Sequence, residues 1–224
     1  MNTPLFIVFE GLDGSGKTTQ AKKLHQWLEQ NNTPTLLTRE PGGTPLAESI
    51  RALLVQGTPE SMTGMTEALL FNAARHEHLE KIIKPALDDG KIVVCDRYFG
   101  STLALQTASG MNEEVLWTLH NIAQKNKLPD LTIFLTGDVE RLIDRANARE
   151  NGRTETAENR FEEKGMDYHK KVKSGFEKHM TWDHVVHISV EDENGNMRSI
   201  DDIFDDVKTA TIKRLKTLAT KKVA

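Results

Sequence analysis

A glycine-rich segment near the start of the chain has the spacing of a phosphate-binding loop. Residues 11–18 read GLDGSGKT and match the pattern G-x-x-x-x-G-K-[ST], with an apolar run before them and an amphipathic helical pattern after them. Glycines let backbone N–H groups turn onto phosphate oxygens, while Lys17 can span the β- and γ-phosphates and the Thr18 hydroxyl can ligate Mg²⁺. A glycine-rich turn without a ligand is the plainer alternative, and the flanking elements argue against it. The predicted nucleotide-binding residues are Gly11, Leu12, Asp13, Gly14, Ser15, Gly16, Lys17 and Thr18.

Further charged residues follow other predicted strands. Asp96 ends the apolar run KIVVCD, where an acidic group can reach the shell of a bound metal ion, although a lone aspartate could equally cap the next helix. Arg39, Arg75 and Arg97 fall in a strand-end turn, on a helix flank and at a strand end. Arginines so placed suit an acceptor that is itself a phosphate ester, because their guanidinium groups bind its charge in bidentate fashion.

The elements that must position these residues alternate along the chain. Apolar runs predict parallel strands at 5–9, 34–38, 91–95, 131–135 and 184–190, and helical patterns lie between them. These patterns include stripes formed by Met65, Ala68, Leu69, Leu79, Ile83 and Ala86 and by Val115, Leu116, Leu119, Ile122 and Ala123. Such alternation predicts one α/β domain over residues 1–224, with ligands at the carboxyl ends of the strands. REPGGTP at 39–45 is predicted to be a shaped turn and not a helix start, and the polar stretch at about 148–160 a mobile lid.

Composition restricts the classes of partner. The chain has 224 residues, with 29 Lys and Arg against 33 Asp and Glu, so no overall basic field favours a nucleic-acid polymer or an anionic membrane. The single cysteine, Cys95, fits a reducing compartment, and no apolar run is long enough to cross a bilayer. These features predict a cytoplasmic protein that acts on small molecules.

Six segments in order and spacing resemble the bacterial thymidylate kinases. They are FEGLDGSGKTTQ, TREPGGTPLAESIRALL, ALLFNAARHEHLEKIIKPAL, VVCDRY followed by Ser-Thr, LPDLTIFL, and NRFE with VKSGF, which together cover roughly residues 5 to 180. The resemblance implies the P-loop NTPase fold of nucleoside monophosphate kinases, a three-layer α/β/α arrangement around a five-stranded parallel sheet. It also implies transfer of the ATP γ-phosphate to dTMP with Mg²⁺, and a homodimer.

The resemblance assigns roles to individual residues. Asp13 is expected near the acceptor's 3′-OH and phosphate, Arg39 and Arg97 on the acceptor phosphate, and Thr18 and Asp96 at the metal ion. Phe71 and Arg75 are four residues apart on one helix face, where Phe71 would stack on thymine and Arg75 would bind its O4. Taken alone, they would read as a core phenylalanine beside a surface arginine. The remaining acceptor contacts are assigned to Thr102 at the base edge, Leu105 and Gln106 at the sugar; the resemblance also suggests a cis Glu40–Pro41 bond.

One departure from the family pattern affects selectivity, and a choice between two family patterns affects catalysis. Leu105 stands where the family usually has an aromatic residue that disfavours a 2′-OH, so discrimination against ribose is expected to be modest. The phosphate loop contains no arginine, so the catalytic arginine is expected from the lid. We assign that role to Arg149 and Arg153, which act with Lys17, Arg97 and Asp13, and place Arg160 and Glu162 at the lid base.

Two other functions remain compatible with the sequence. One is a kinase for another nucleoside monophosphate such as dUMP, and the other is a P-loop regulatory ATPase that binds a protein partner. The second would leave Phe71, Arg75 and the REPGG turn without a purpose.

The lid assignment predicts the kinetics of one variant. Replacement of Arg153 by alanine should lower kcat far more than it raises the KM for ATP, because the guanidinium group is needed where charge develops in the transition state. Steady-state rates with varied ATP measure both constants. An unchanged kcat would remove Arg153 from the mechanism.

Overall fold

A computed structural model describes residues 4–125, 127–150, 160–161 and 164–221, with the backbone alone at residues 149, 150 and 221. Its centre is a five-stranded sheet in the spatial order β2-β3-β1-β4-β5, with every pair of neighbours parallel. The strands are β1 (Leu5–Gly11), β2 (Thr35–Arg39), β3 (Ile92–Asp96), β4 (Leu131–Thr136) and β5 (Val185–Ser189). All five predicted strands are confirmed, with their ends shifted by one or two residues.

The helices of the described residues cover both faces of the sheet. They are α1 (Lys17–Gln30), α2 (Pro45–Val55), α3 (Gly64–His78), α4 (Lys84–Asp88), α5 (Phe99–Ala108), α6 (Glu113–Gln124), α7 (Val139–Glu150), α8 (Met166–His179) and α9 (Ile200–Lys221). A π-helical turn over Leu79–Ile83 joins α3 to α4. Within the described ranges, no helix combines the length and apolarity needed to span a bilayer.

The strand β1 separates two apolar cores. Leu5, Ile7 and Phe9 pack on one face with residues of α1, α7, α8 and α9, whereas Phe6 and Val8 pack on the other with residues of α3, α5 and α6. Successive side chains of a strand point to opposite faces, so β1 is apolar at every position from 5 to 9. The three-layer α/β/α prediction is therefore confirmed.

Three local predictions were wrong. Pro45 begins α2, with the Thr44 hydroxyl accepting a hydrogen bond from the Ala47 backbone N–H, so the REPGGTP segment does lead into a helix. Met65 and Leu69 of the predicted α3 stripe are exposed, as is Ile122 of the α6 stripe. In α3 the buried face instead carries polar and charged side chains beside its apolar ones.

No periodic pattern predicted α5. Seven of its ten residues are buried, because α5 lies between the sheet, α3, α6 and α8. A helix buried on nearly all sides has no polar face, so it shows no 3.6-residue period. Its first turn follows β3 directly and therefore brings Ser101 and Thr102 to the same sheet edge as the phosphate loop.

Candidate active site

The phosphate loop joins β1 to α1, and two of its glycines meet different steric demands. Gly14 has φ 77°, and a Cβ atom there would lie 1.8 Å from the Leu142 carbonyl oxygen. Gly16, the N-cap of α1, has φ 91°, and a Cβ atom there would meet nothing within 4 Å. The left-handed backbone at Gly16 thus opens the N-terminus of α1 toward free space, as a phosphate site requires.

Lys17 is buried at the first position of α1. Its Nζ donates a hydrogen bond to the Leu12 carbonyl oxygen at 2.7 Å and lies 3.6 Å from Asp13 Oδ1. Burial and the nearby Arg97 lower the pKa of Lys17 to about 8, against the opposing effect of Asp13. The ammonium group therefore has only partial charge compensation, which a triphosphate would complete.

Asp13 and Arg97 form an ion pair between the phosphate loop and the end of β3. Arg97 Nη2 contacts Asp13, and Arg97 Nη1 donates to the Gly11 carbonyl oxygen at 3.2 Å and to Ser101 Oγ at 2.9 Å. Burial raises the pKa of Asp13, but Arg97 and Lys17 outweigh that effect and hold the pKa well below its ordinary value. Arg97 has φ 71°, a conformation that non-glycine residues adopt at a cost and that often marks functional sites.

Thr18 and Asp96 meet as the sequence predicts for a metal site. The Thr18 hydroxyl donates to Asp96 Oδ2, while Asp96 Oδ1 is buried and has no hydrogen-bond partner. Mg²⁺ prefers oxygen ligands and commonly keeps several waters, so one hydroxyl and one open carboxylate oxygen fit it. Among the described residues no cluster of three or more His, Cys, Asp or Glu side chains could hold a metal ion, and Mg²⁺ needs none.

Glu10, which the sequence argument missed, organises the end of β1. Its carboxylate accepts hydrogen bonds from the backbone N–H of Tyr98 at 2.9 Å and from both the N–H and the hydroxyl of Ser101 at 3.0 and 2.6 Å. Burial raises the pKa of Glu10 more than these hydrogen bonds and Arg97 lower it. The one signal in the sequence was a glutamate ending an otherwise apolar strand.

Arg75 is buried beyond the end of β3, where its guanidinium group is held by several partners. Its Nε donates to Glu40 Oε2 at 2.6 Å, and Nη2 donates to the Tyr98 carbonyl oxygen at 3.2 Å and to Thr102 Oγ1 at 2.7 Å. The Nη1 atom is buried and has no hydrogen-bond partner. Glu40, also unassigned from the sequence, is followed by the cis bond to Pro41 that the resemblance suggested. Thr102 holds Arg75 and does not point to an open edge.

Phe71 and Gln106 line the region next to Arg75. Phe71 packs on Leu54 and Val55, and its ring centroid lies 6.0 Å from that of Phe161. Gln106 is fully buried, with its Nε2 donating to Glu67 Oε1 at 2.6 Å and its Oε1 unpartnered. The contact between α3 and α5 thus carries an unpartnered donor, Arg75 Nη1, and an unpartnered acceptor, Gln106 Oε1, and Phe71 lies one turn before Arg75 on α3.

The structure gives less support for the other predicted substrate and lid residues. Arg39 Nη2 pairs with Glu48 Oε2 at 2.9 Å, so its guanidinium group is already engaged at the end of β2. Leu105 is partly buried, and its carbonyl oxygen accepts a hydrogen bond from the Tyr168 hydroxyl at 3.3 Å. Arg153, Glu162 and the side chain of Arg149 lie outside the described residues. Arg160 is fully buried and pairs with Glu67 at 2.7 Å, as an anchor of the lid base would.

The comparisons with known proteins agree with this geometry. A family model described as thymidylate kinase matches residues 9–199 of the chain. The chain belongs to the thymidylate kinase family. The P-loop fold expected from the sequence is thereby confirmed.

Similar proteins cover between 76% and 95% of the chain. A thymidylate kinase from Geotalea daltonii is 45% identical over 173 residues, which span 76% of this chain and 81% of the relative. A second, from Mycoplasma capricolum, is 38% identical over 213 residues, with 95% and 96% of the two chains covered. The crystal structure of thymidylate kinase from Ehrlichia chaffeensis matches with a TM-score of 0.73 and 32% identity, and covers 93% of this chain and 98% of that one.

The pKa of Lys17 predicts how activity depends on pH. Its side chain is charged below about pH 8 and neutral above it, so attraction of the triphosphate is lost as pH rises through that value. We expect kcat/KM for ATP, which reports ionisations of the free enzyme, to fall on the alkaline side. Initial rates from about pH 6.5 to about pH 9.5 measure this profile. A profile that stays flat across that range would contradict the prediction.

Proposed function

We propose that the protein transfers the γ-phosphate of ATP to dTMP and forms dTDP for thymidine nucleotide biosynthesis. The observation that carries the proposal is the pair of sites at one sheet edge. The phosphate loop lies on one side, and the buried Arg75 with its unpartnered Nη1 lies on the other. A regulatory ATPase would need only the first of these, whereas transfer to a second small molecule needs both.

Acceptor recognition follows from the unpartnered atoms. The thymine edge carries an acceptor, O4, next to a donor, N3–H. Arg75 Nη1 would donate to O4 and Gln106 Oε1 would accept from N3–H, while Phe71 stacks on the ring. We assign Gln106 to the base and not to the sugar, because it is held beside α3, which carries Phe71, and because Asp13 serves the 3′-OH. Cytosine would place an amino group against the Arg75 donor.

Catalysis in this arrangement depends on position and charge and forms no covalent intermediate with the protein. Lys17 holds the β- and γ-phosphates, and Arg97, fixed by Asp13, binds the acceptor phosphate in line with them. Thr18 and Asp96 would hold Mg²⁺, which neutralises charge on the phosphates when bound. We assign the contact with the transferring group to Arg149 and Arg153, in the lid segment at about residues 148–160 of the sequence, because one arginine there can contribute about 10³-fold or more in rate.

Selectivity for deoxyribose rests on residue 105. Leu105 offers a hydroxyl no hydrogen-bond partner from its side chain, and its carbonyl oxygen is already bonded to Tyr168. An apolar pocket of this kind rejects an added hydroxyl by about 10²-fold at most. The ribose form of thymidylate is therefore expected to be a slow substrate.

Assembly and location complete the proposal for a single-domain, cytoplasmic enzyme. Three neighbouring helices expose large apolar side chains, namely Leu46 and Leu53 of α2, Met65 and Leu69 of α3 and Ile122 of α6, with exposures between 42% and 72%. An exposed apolar surface of this kind is typical of an interface. A homodimer formed through it would bury all five. The free and buried Cys95 fits a reducing compartment.

One panel of acceptors tests the proposed reaction. Purified protein with ATP and Mg²⁺ should form ADP rapidly with dTMP, more slowly with dUMP and the ribose form, and at background rate with dCMP, dAMP or dGMP. The reason is that cytosine and adenine carry an amino group where thymine has O4, whereas guanine repeats the acceptor and donor of thymine only on a larger purine ring. Formation of ADP at the same rate whatever the acceptor would overturn the kinase proposal.

The interface has a separate test. Leu53→Glu should convert a dimer to a monomer, since it places a charge within the apolar surface. Sedimentation velocity over a range of protein concentrations measures the assembly. Ile212→Glu, at an exposed apolar position on α9 outside this surface, is the control and should leave the dimer intact. A wild-type protein that stays monomeric at all concentrations would contradict the assignment.

A further inference from the structure

Glu67 is a buried carboxylate that the catalytic argument does not use. It lies in the first turn of α3 and is 1% exposed. Its Oε2 pairs with Arg160 at 2.7 Å and lies 3.8 Å from Lys164 Nζ, and its Oε1 accepts the hydrogen bond from Gln106. A carboxylate so placed, and shared among three separate segments, must serve more than the capping of a helix.

Arg160 is committed wholly to protein partners. Besides Glu67, its guanidinium group donates to the carbonyl oxygens of Leu54, Thr58 and Pro59 and to the Ser61 hydroxyl, at 3.1 to 3.4 Å. These partners belong to the end of α2 and the segment after it. The Glu67 carboxylate is therefore fixed in position from one side by a cation that has no freedom to turn away.

That fixed carboxylate determines which way the Gln106 amide faces. A carboxylate paired with arginine only accepts hydrogen bonds, so the amide nitrogen of Gln106 must point to Glu67. The amide oxygen must then point elsewhere, and it is buried without a partner in a side chain with no exposed surface. The amide of a free glutamine could present either atom, whereas this one can present only an acceptor.

A second hydrogen bond joins α3 and α5, besides the one between Glu67 and Gln106. Arg75, two turns after Glu67 on α3, donates to Thr102, one turn before Gln106 on α5. Each of these junctions leaves one unpartnered atom, namely a donor on Arg75 and an acceptor on Gln106. Glu40 orients the first of these atoms, and Glu67 orients the second.

We propose that Glu67 is a positioning residue that sets the hydrogen-bonding polarity of the acceptor pocket by holding the Gln106 amide with its oxygen toward the base. The inference rests on the proposed function, because the donor that this oxygen receives is the N3–H of a thymine. Glu67 touches neither the nucleotide nor the transferring phosphate. Its loss should therefore raise the KM for dTMP much more than the KM for ATP.

Glu67→Gln tests the assignment. A glutamine at this position can donate to Gln106 as well as accept from it, so the Gln106 amide is free to turn and present its nitrogen. We expect the KM for dTMP to rise by about 10- to 100-fold, as for one buried hydrogen bond lost with its partner unsatisfied, and the KM for ATP to stay within about 2-fold. Glu193→Gln, an exposed site between β5 and α9, is the matched control and should change neither constant.

A modified acceptor separates positioning from a merely structural role. N3-methylthymidine 5′-monophosphate lacks the donor that Gln106 receives, so wild-type protein should strongly prefer dTMP over it. That preference should shrink by about tenfold or more in Glu67→Gln, because the amide no longer presents a fixed acceptor. The double variant Glu67→Gln/Gln106→Glu exchanges the two groups, returns an oxygen to the pocket and should recover most of the preference.

The outcomes are distinguishable. If Glu67→Gln fails to fold, Glu67→Asp keeps the charge for Arg160 but withdraws the carboxylate from Gln106, and the same rise in KM for dTMP is expected. A folded variant with wild-type KM for dTMP and an unchanged preference over the methylated acceptor would overturn the inference and leave the kinase proposal standing. Wild-type protein that does not distinguish dTMP from other acceptors would overturn both.

Discussion

The ion pair between Asp13 and Arg97 is the interaction on which the arrangement of the site depends. It ties the loop after β1 to the end of β3 across the carboxyl edge of the sheet. Arg97 also bonds the carbonyl oxygen of Gly11 and the hydroxyl of Ser101, so the phosphate loop and the start of α5 are held to one guanidinium group. The phosphate loop and the start of α5 therefore share one fixed point.

Around Arg97, most charged groups have partners within the protein, but a few buried polar atoms have none. Glu10 and Glu40 are buried carboxylates and Asp13 is a partly exposed one, and all three accept hydrogen bonds from within the protein. The buried atoms left without a partner include Ser15 Oγ, Asp96 Oδ1, Arg75 Nη1 and Gln106 Oε1. Buried polar atoms without partners are costly, each by about 1–3 kcal/mol, and a ligand that satisfies them gains that free energy on binding. Under the proposed function, part of the affinity for substrates would come from these unmet hydrogen bonds.

The sheet and the nucleotide loop could be predicted from the sequence, but α5 and the buried glutamates that hold the site residues in place could not. Parallel strands buried on both faces leave continuous apolar runs, and the phosphate loop has a strict glycine spacing, so both are local signals. The helix α5 is buried nearly all round and has no period. Glu10, Glu40 and Glu67 act on partners 91, 35 and 39 residues away, and a lone carboxylate carries no local mark of such a partner. Only the folded sheet edge brings them together.

The position of Cys95, the single cysteine of the chain, makes its thiol unreactive while the sheet is intact. Cys95 lies in β3 directly before Asp96, pairs in register with Val8, and its thiol donates to the Arg97 carbonyl oxygen at 3.1 Å. Burial, with the neighbouring carboxylates Glu40 and Asp96, raises its pKa well above the ordinary value for a thiol. A thiol reagent therefore meets an inert group until β3 separates from its neighbours. The rate at which a thiol reagent modifies Cys95 therefore reports how often β3 separates from its neighbouring strands.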